Sequence, residues 1–208
     1  MSDRLRRAAD GAPITVVLAE DEAIIRLDVK ETLEDEGYQV IGETGRGDEA
    51  VELVRRLQPD VAILDIKMPG QDGIETARQI SADRLAAVVL LTAFSQRDLI
   101  EQARDAGALT YLVKPFQRSD LVPAVEMAIA RHRDYIELVD ENRRLGEQIE
   151  SRKLVDRAKG RLMDDRGLSE ADAFGFLQKT AMHQRRTMAE VAADVLDGGV
   201  ADTDEPPA

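Results

Sequence analysis

The sequence contains no cysteine and only two histidines among its 208 residues. Without cysteine the chain can form neither a disulfide framework nor a thiolate zinc site, and two histidines are too few to predict a histidine-based metal site. No apolar run approaches the roughly 18 residues that a membrane span requires. No apolar segment follows the N-terminal arginines at positions 4, 6 and 7, so we expect no secretory signal, no membrane contact and a cytoplasmic protein.

Acidic side chains strongly outnumber basic ones, and the formal net charge is −13. This charge excludes a protein that binds nucleic acid with its whole surface. Residues 151–197 differ, because they hold nine basic and eight acidic side chains, a balance of +1, whereas the remaining residues have a balance of −14. If any part of the chain binds a polyanion, we expect it to be this stretch, with the Arg-rich N-terminal arm (residues 1–13) as an additional contact.

Five short apolar segments alternate with helical patterns through the first half of the chain. The predicted strands are 14–19, 38–42, 61–65, 87–92 and 108–113, and the predicted helices between them are 23–36, 47–57, 73–80 and 96–105. This alternation predicts an α/β fold, a doubly wound parallel sheet of five strands. Right-handed crossovers would then place the carboxyl ends of all strands at one edge of the sheet.

The third predicted strand ends in a single carboxylate, that of Asp65, and a Met-Pro-Gly turn follows at residues 68–70. A continuous apolar run is typical of a strand buried on both faces of a parallel sheet. The carboxyl ends of such strands are where open α/β sheets bind ligands. Asp65 is therefore a candidate reactive group, although an aspartate that merely ends a strand remains the alternative at this point.

Other polar side chains follow the neighbouring strands: Glu20 and Asp21 after the first, Thr92 after the fourth and Lys114 after the fifth. Three converging carboxylates repel one another unless a cation lies among them, and hard oxygen ligands suit Mg²⁺. A hydroxyl and an ammonium can hold phosphoryl oxygens. The set predicts Mg²⁺-dependent phosphoryl transfer to Asp65. Taken singly, Thr92 could be an ordinary strand residue and Lys114 a solvated loop charge.

These residues resemble the receiver domain of two-component response regulators. The resemblance covers residues 14–118 and rests on Glu20-Asp21, on Asp65 in the segment Leu-Asp-Ile-Lys-Met-Pro-Gly, on Thr92-Ala93 and on Lys114-Pro115-Phe116. It implies strand order 2-1-3-4-5, a sensor histidine kinase as partner and the backbone carbonyl of Lys67 as a further metal ligand. It also implies that Thr92 and Tyr111 form a switch, which reshapes the face made by the fourth helix, fifth strand and fifth helix on phosphorylation.

Residues 119–150 predict a long linker helix with two overlapping apolar seams. The first seam consists of Val125, Ile129, His132, Ile136 and Val139. The second seam consists of Tyr135, Leu138, Asn142, Leu145 and Ile149. The first seam suits packing on the receiver sheet, with His132 as a packing residue. The second suits a coiled coil in a homodimer, in which Asn142 would set the register. The alternative is a single helix that rests on its own protein, because two heptads are short for a coiled coil.

Residues 151–197 predict three short helices, the first from about Lys153 to Asp165. The other two helices are predicted to begin at Ser169 and Thr187, each of which has the residue spacing of a capping box. The expected core consists of Leu168, Phe174, Leu177, Ala181, Val191, Val195 and Leu196. Fewer than fifty residues are marginal for independent folding, so we expect this stretch to continue from the long helix or to pack on it.

This stretch resembles the ANTAR domain, a family of RNA-binding antiterminators. The matching segments are Asp156-Arg-Ala-Lys-Gly-Arg-Leu-Met163, Gly167-Leu-Ser169, Ala173-Phe174, Ala181-Met182 and Arg185-Arg186, and Gln178 departs from the arginine that the family often has there. The RNA-binding candidates are Lys159, Gly160, Arg161, Lys179, Arg185 and Arg186. Since both phenylalanines here are assigned to the core, we expect recognition of a folded hairpin through phosphates and base edges, without aromatic stacking.

The sequence thus predicts a response regulator in which phosphorylation of Asp65 controls RNA binding and transcription antitermination, with a receiver at 14–118, a linker at 119–150, an ANTAR domain at 151–197 and a disordered acidic tail at 198–208. It is expected to be a phosphoacceptor and not an enzyme in the usual sense. A DNA-binding regulator is one alternative, but the segment 188–196 is acidic and small for a recognition helix, so DNA is disfavoured. A protein-interaction output is the other.

Overall fold

The computed structural model describes residues 11–93 and 97–198, without the side chains of residues 97–100. The predicted N-terminal arm and acidic tail therefore lie almost wholly outside the described residues. The chain divides into two compact units, Met1–Glu137 and Leu138–Ala208. Within the described residues, no helix is both long and apolar enough to cross a membrane.

Strands and helices alternate as the sequence predicts, and their bounds differ from the prediction by two residues at most. The elements of the first unit are β1 (Thr15–Ala19), α1 (Ala23–Asp35), β2 (Gln39–Thr44), α2 (Gly47–Leu57), β3 (Val61–Asp65), α3 (Gly73–Ala82), β4 (Ala87–Thr92), α4 (Arg97–Asp105) and β5 (Thr110–Val113). All strand pairs are parallel, in the order β2-β1-β3-β4-β5. The predicted doubly wound fold is confirmed.

Two hydrophobic cores cover the two faces of this sheet. Val61 and Ile63 of β3 point into one core, and Ala62 and Leu64 into the other. Helix α1 and the start of α5 (Arg118–Arg166) pack on the first face, and α2, α3 and α4 pack on the second. Because β3 is covered on both faces, all five of its residues are buried, which explains its continuous apolar sequence.

The turn after β3 requires a glycine at position 73. A Cβ built on Gly73 would lie 2.0 Å from the carbonyl oxygen of Asp65, and the Gly73 N–H donates to the carbonyl of Ile66 at 2.8 Å. Only the absence of a side chain lets the start of α3 approach the end of β3 this closely. The close approach holds the backbone of Asp65 against the N-terminus of α3.

Helix α5 is continuous over 49 residues, from Arg118 to Arg166. The predicted linker helix and the helix predicted from about Lys153 therefore form one element, in line with the expected continuity. Gly146 does not break it, because one glycine costs a helix interior only about 1 kcal/mol. The limits predicted for the linker and the C-terminal domain remain predictions, since the boundary between them falls inside this helix.

The second unit has its own small core. The C-terminal part of α5, α6 (Glu170–Gln184) and α7 (Met188–Leu196) supply it, with Ala158, Leu162, Leu177, Val191 and Val195 among its buried residues. Helix α7 begins with a complete capping box between Thr187 and Glu190, and the Ser169 hydroxyl caps α6 by accepting from the backbone N–H of Asp172. The prediction that Phe174 joins this core is wrong: its ring is 43% exposed.

Replacing Gly146 with alanine is expected to stabilise the protein by about 0.5–1 kcal/mol, because alanine loses less entropy in a helix interior. A Cβ built there meets no described atom within 4 Å. Gly73→Ala is the opposite case and should be strongly destabilising, since its Cβ would meet backbone. Urea denaturation followed by circular dichroism measures both, and a destabilised Gly146→Ala protein would contradict an uninterrupted α5.

Candidate phosphoacceptor site

Three carboxylates meet at the carboxyl edge of the sheet. Glu20 and Asp21 follow β1 and Asp65 ends β3, and these two strands are hydrogen-bonded neighbours. One oxygen from each carboxylate lies within 4.8 Å of the others. Glu20 is fully buried, Asp65 is buried and Asp21 is exposed, so the cluster opens to solvent on the side of Asp21.

Lys114 supplies the positive charge of this cluster. Its ammonium donates to Oε2 of Glu20 at 2.5 Å and lies 2.9 Å from Oδ1 of Asp65. Its backbone N–H donates to the carbonyl of Thr92 at 2.7 Å, which ties the loop after β5 to the end of β4. The side chain is 14% exposed. Lys114 is therefore not a solvated loop charge.

Burial and ion pairing act in opposite directions on these groups. Burial raises the pKa of Glu20, and the hydrogen bond from Lys114 offsets part of that effect. Burial also disfavours the charged form of Lys114, but its hydrogen bonds to Glu20 and Asp65 outweigh burial, so the pKa of Lys114 is raised. The ammonium consequently stays protonated at neutral pH, and the carboxylates depend on it for compensation.

The remaining predicted receiver residues are Thr92, Lys67 and Tyr111. Thr92 is buried at the end of β4, the strand beside β3. The backbone N–H of Lys67 donates to Oδ2 of Asp65 at 3.2 Å, which fixes the second carboxylate oxygen. Tyr111 pairs with Leu90 across β4 and β5 and is 39% exposed, so its ring faces outward in this state. The roles of these residues remain predictions.

The donor set fits a hard divalent cation. Every candidate side-chain ligand is a carboxylate oxygen, and Mg²⁺ prefers oxygen ligands together with several waters. The exposed side of the cluster, at Asp21, leaves room for such waters. Glu20, Asp21 and Asp65 are thus the side chains that could hold the ion.

Three of the RNA-binding candidates in the second unit take part in ion pairs. Lys159 pairs with Asp156 and Glu170, each at 2.9 Å. Arg161 pairs with Asp165 and donates to the carbonyl of Leu196, the last residue of α7. Arg186 pairs with Asp194 at 2.5 Å. These contacts link the three helical segments, so ion pairing within the unit accounts for part of the basic charge.

The other three candidates are Lys179, Arg185 and Gly160. Lys179 and Arg185 are exposed, and a Cβ built on Gly160 meets no described atom within 4 Å. Arg185 ends α6 in the left-handed conformation, with φ of +53°. A residue other than glycine in this conformation carries local strain, and such positions are enriched at functional sites.

Phe174 is a candidate RNA-binding residue that sequence reasoning missed, because its ring was assigned to the core. The buried residues of α6 are Ala173, Leu177 and Ala181, which recur every four residues, and Phe174 lies about 100° around the helix from Ala173. Phe176 instead packs against the core, with the guanidinium of Arg166 5.1 Å from its ring centroid. Helical periodicity alone could not have separated the two phenylalanines, because Phe174 lies about 60° and Phe176 about 100° around the helix from the buried Leu177.

Each half of the chain matches a known protein family. Residues 16–126 match the response regulator receiver domain family, and residues 143–196 match the ANTAR domain family. The chain belongs to the response regulators that carry a receiver domain and an ANTAR domain. It is 54% identical over 190 residues to the transcriptional regulatory protein PdtaR of Mycobacterium tuberculosis, covering 91% of this chain and 93% of that protein.

Receiver domains of solved structure superpose on the first unit. The signal receiver domain of the response regulator NarL from Mycobacterium tuberculosis is 32% identical, with a TM-score of 0.55, and covers 56% of this chain and 96% of its own. A complex of CheX and CheY with BeF3 and magnesium, from Borrelia burgdorferi, is 28% identical with a TM-score of 0.54, and covers 57% of this chain and 92% of its own.

Substituting Lys114 with methionine is expected to destabilise the protein by about 3–5 kcal/mol, because Glu20 would be left buried without a cation. The loss should be smaller at acidic pH, since the pKa of Glu20 would rise further and protonation would remove the buried charge. Millimolar Mg²⁺ should restore part of the stability by binding only the folded state. Urea denaturation with and without Mg²⁺ measures both effects.

Lys30→Met is the matched control, since Lys30 forms an exposed pair with Glu43 and its loss should change stability little. A Lys114→Met protein that is as stable as the Lys30→Met control would overturn the proposed dependence of Glu20 on Lys114.

Proposed function

We propose that this protein is a phosphorylation-controlled RNA-binding regulator that relieves transcription termination. A sensor histidine kinase phosphorylates Asp65, and the phosphorylated receiver controls RNA binding by the ANTAR domain. One observation carries the proposal: the carboxylate of Asp65 lies at the solvent-open edge of a parallel sheet, in contact with Lys114 and flanked by two further carboxylates.

The chemistry is transfer of a phosphoryl group from a phosphohistidine to a carboxylate. An oxygen of Asp65 attacks the phosphorus, the P–N bond breaks, and the imidazole of the kinase leaves with the electron pair and takes up a proton. The Lys114 ammonium, already beside Oδ1, binds a phosphoryl oxygen, as does the Thr92 hydroxyl. A magnesium ion held by Glu20, Asp21, Asp65 and the Lys67 carbonyl would neutralise phosphoryl charge.

A docking surface for the kinase adjoins this site. Helix α1 begins two residues after Asp21, and its first turns expose Ile24 at 85% and Leu27 at 55%. Exposed aliphatic side chains next to a reactive group favour a protein partner whose own helix carries the phosphohistidine. The pair would position the donor above Asp65.

The switch connects Asp65 to the surface of β5. Thr92 and Tyr111 lie on neighbouring strands, and Tyr111 is in its outward position. Movement of Thr92 toward a phosphoryl group would open space that the Tyr111 ring can enter, and this would alter the face of α4, β5 and α5. That face is the element whose two states phosphorylation biases.

Charge distribution supports RNA as the ligand of the second unit. Residues 174–186 contain no acidic side chain, although the protein as a whole carries a charge of −13. Because Lys159, Arg161 and Arg186 are engaged in ion pairs, Lys179 and Arg185 are the residues that we expect to contact phosphates most directly. Lys159 and Gly160 remain candidates beside them. Helix α7 carries Glu190 and Asp194 and no basic side chain, which disfavours its use as a DNA recognition helix.

Phosphorylation is expected to raise RNA affinity roughly tenfold, in the range of ordinary allosteric coupling. The assay is filter binding to a pool of double-hairpin RNAs with randomised loops, with and without acetyl phosphate and Mg²⁺. Asp65→Asn should remove both the added phosphate, read by intact mass, and the change in affinity. Preference for duplex DNA would favour a DNA-binding regulator, and binding to neither would favour a protein-interaction output.

A double substitution of Lys179→Ala with Arg185→Gly separates binding from folding in the same assay. RNA affinity should fall, whereas thermal stability should not, because glycine adopts the left-handed conformation of residue 185 without steric cost. Arg144→Ala is the control, since Arg144 is an exposed arginine of α5 in the same unit.

A homodimer through α5 is the second part of the proposal. Leu138, Leu145 and Ile149 are 64%, 46% and 56% exposed, and they recur at heptad spacing with Asn142 between them. The Asn142 amide donates to the carbonyl of Leu138 in the single chain. Burying this seam against a second copy would remove apolar surface from water, and Asn142 would favour one register.

Leu138→Glu combined with Leu145→Glu is expected to abolish dimerisation, because it places like charges along the seam. Sedimentation velocity of the phosphorylated protein measures this. Met127→Glu is the control: Met127 is an equally exposed residue of α5 outside the seam. Dimers that persist in the double variant would eliminate this seam as the interface.

A further inference from the structure

One side of α6 is exposed although it carries an aromatic ring. Phe174, Gln178 and Met182 recur every four residues, so they share one side of the helix, and all three are exposed. The adjacent side, about 100° around the helix, carries Ala173, Leu177 and Ala181 and is buried in the core. Met182 is 75% exposed and Phe174 is 43% exposed. The packing of this unit does not require an exposed phenylalanine ring next to an exposed glutamine amide.

The ring of Phe174 borders an open depression of the second unit. Lys159, Ser169, Glu170 and Ala171 line the depression together with Phe174. Lys159 is held there by its ion pairs with Asp156 and Glu170, so the depression has one small apolar wall and one fixed ammonium. A planar group laid against the ring would therefore meet both apolar surface and hydrogen-bonding groups.

Glu170 shares the four-residue spacing of Phe174 and Gln178, but beyond this first turn the charge of α6 suits a polyanion. The acidic residues of α6, Glu170 and Asp172, lie in its first turn, and no acidic residue follows until Glu190 in α7. Lys179 and Arg185 are exposed on the rest of the helix and its C-cap. A protein or lipid partner with a positive surface is thus disfavoured, and a phosphate backbone is favoured.

Gly175 adds an independent observation. It lies inside α6, where glycine is unfavourable, and a Cβ built on it meets no described atom within 4 Å. Packing within the chain therefore gives no reason for a glycine at this position. Its lack of a side chain, directly after Phe174, leaves the helix backbone open to close approach by another molecule.

We propose that this side of α6 holds an unpaired base of an RNA loop. The Phe174 ring stacks on the base, and the Gln178 amide hydrogen-bonds to a base edge. Gly175 admits the ribose-phosphate backbone, whose phosphates Lys179 and Arg185 contact. The inference rests on the proposed RNA binding and adds its mode of recognition: aromatic stacking with side-chain readout, in addition to contacts with phosphates.

The test uses the full chain and an RNA that the wild-type protein enriches from the randomised-loop hairpin pool. 2-Aminopurine replaces each loop base in turn, because stacking on an aromatic ring quenches its fluorescence. We expect one loop position to be quenched by the wild type and by Phe174→Tyr, but not by Phe174→Leu. Phe174→Leu, which keeps an apolar side chain, should weaken binding about tenfold or more.

Two further variants separate the roles of the neighbouring residues. Gln178→Ala should relax the loop sequence that the pool yields while leaving salt dependence unchanged, since a base contact and not a phosphate contact is lost. Gly175→Ala should weaken RNA binding, whereas Gly146→Ala, at an equally open helical glycine, should not. Circular dichroism melting must show that every variant is folded.

The outcomes distinguish this inference from the function on which it rests. Failure of the wild-type protein to enrich any RNA would overturn both. Enrichment by the wild type with full affinity in Phe174→Leu, or with no quenched loop position, would overturn the stacking site alone and leave RNA binding intact. Unchanged RNA binding together with altered sedimentation of Phe174→Leu would assign this side of α6 to a protein contact instead.

Discussion

The ion pair between Lys114 and the buried carboxylates is the interaction on which the first unit depends. Three carboxylate oxygens cannot gather within 4.8 Å at a low-dielectric sheet edge without positive charge among them. The parallel sheet enforces this gathering, since β1, β3 and β5 end at the same edge. In the proposed function, a phosphoryl group on Asp65 or a divalent cation beside it would redistribute the contacts of Lys114.

Rigidity and responsiveness are divided between neighbouring parts of the sheet. The buried strand β3 and the close approach at Gly73 fix the backbone of Asp65. Thr92 lies on β4, the strand beside β3, and Tyr111 lies on β5, the next strand, where it is exposed. In the proposed switch, phosphorylation at the fixed Asp65 would select between two arrangements of these two side chains.

In the second unit, the number of basic residues is a poor guide to the surface that meets a polyanion. Lys159, Arg161 and Arg186 form ion pairs with carboxylates of their own unit. Phe174 and Lys179 of α6 and Arg185 at its C-cap remain exposed. A balance of +1 over residues 151–197 thus conceals a local region without acids, from 174 to 186. The distribution of charge, and not its sum, supports RNA binding.

Local patterns in the sequence determined the fold and the members of the receiver site. The alternation of apolar runs with helical periodicity predicts the sheet, and residues at the carboxyl ends of parallel strands share one edge, so Asp65, Thr92 and Lys114 could be predicted to lie at that edge without coordinates. Tertiary structure alone decided that Lys114 contacts both Glu20 and Asp65, that α5 continues through Gly146, that three cations are paired and that Phe174 is exposed. Periodicity is a property of neighbouring residues, whereas burial and ion pairing depend on which distant element packs against each side chain.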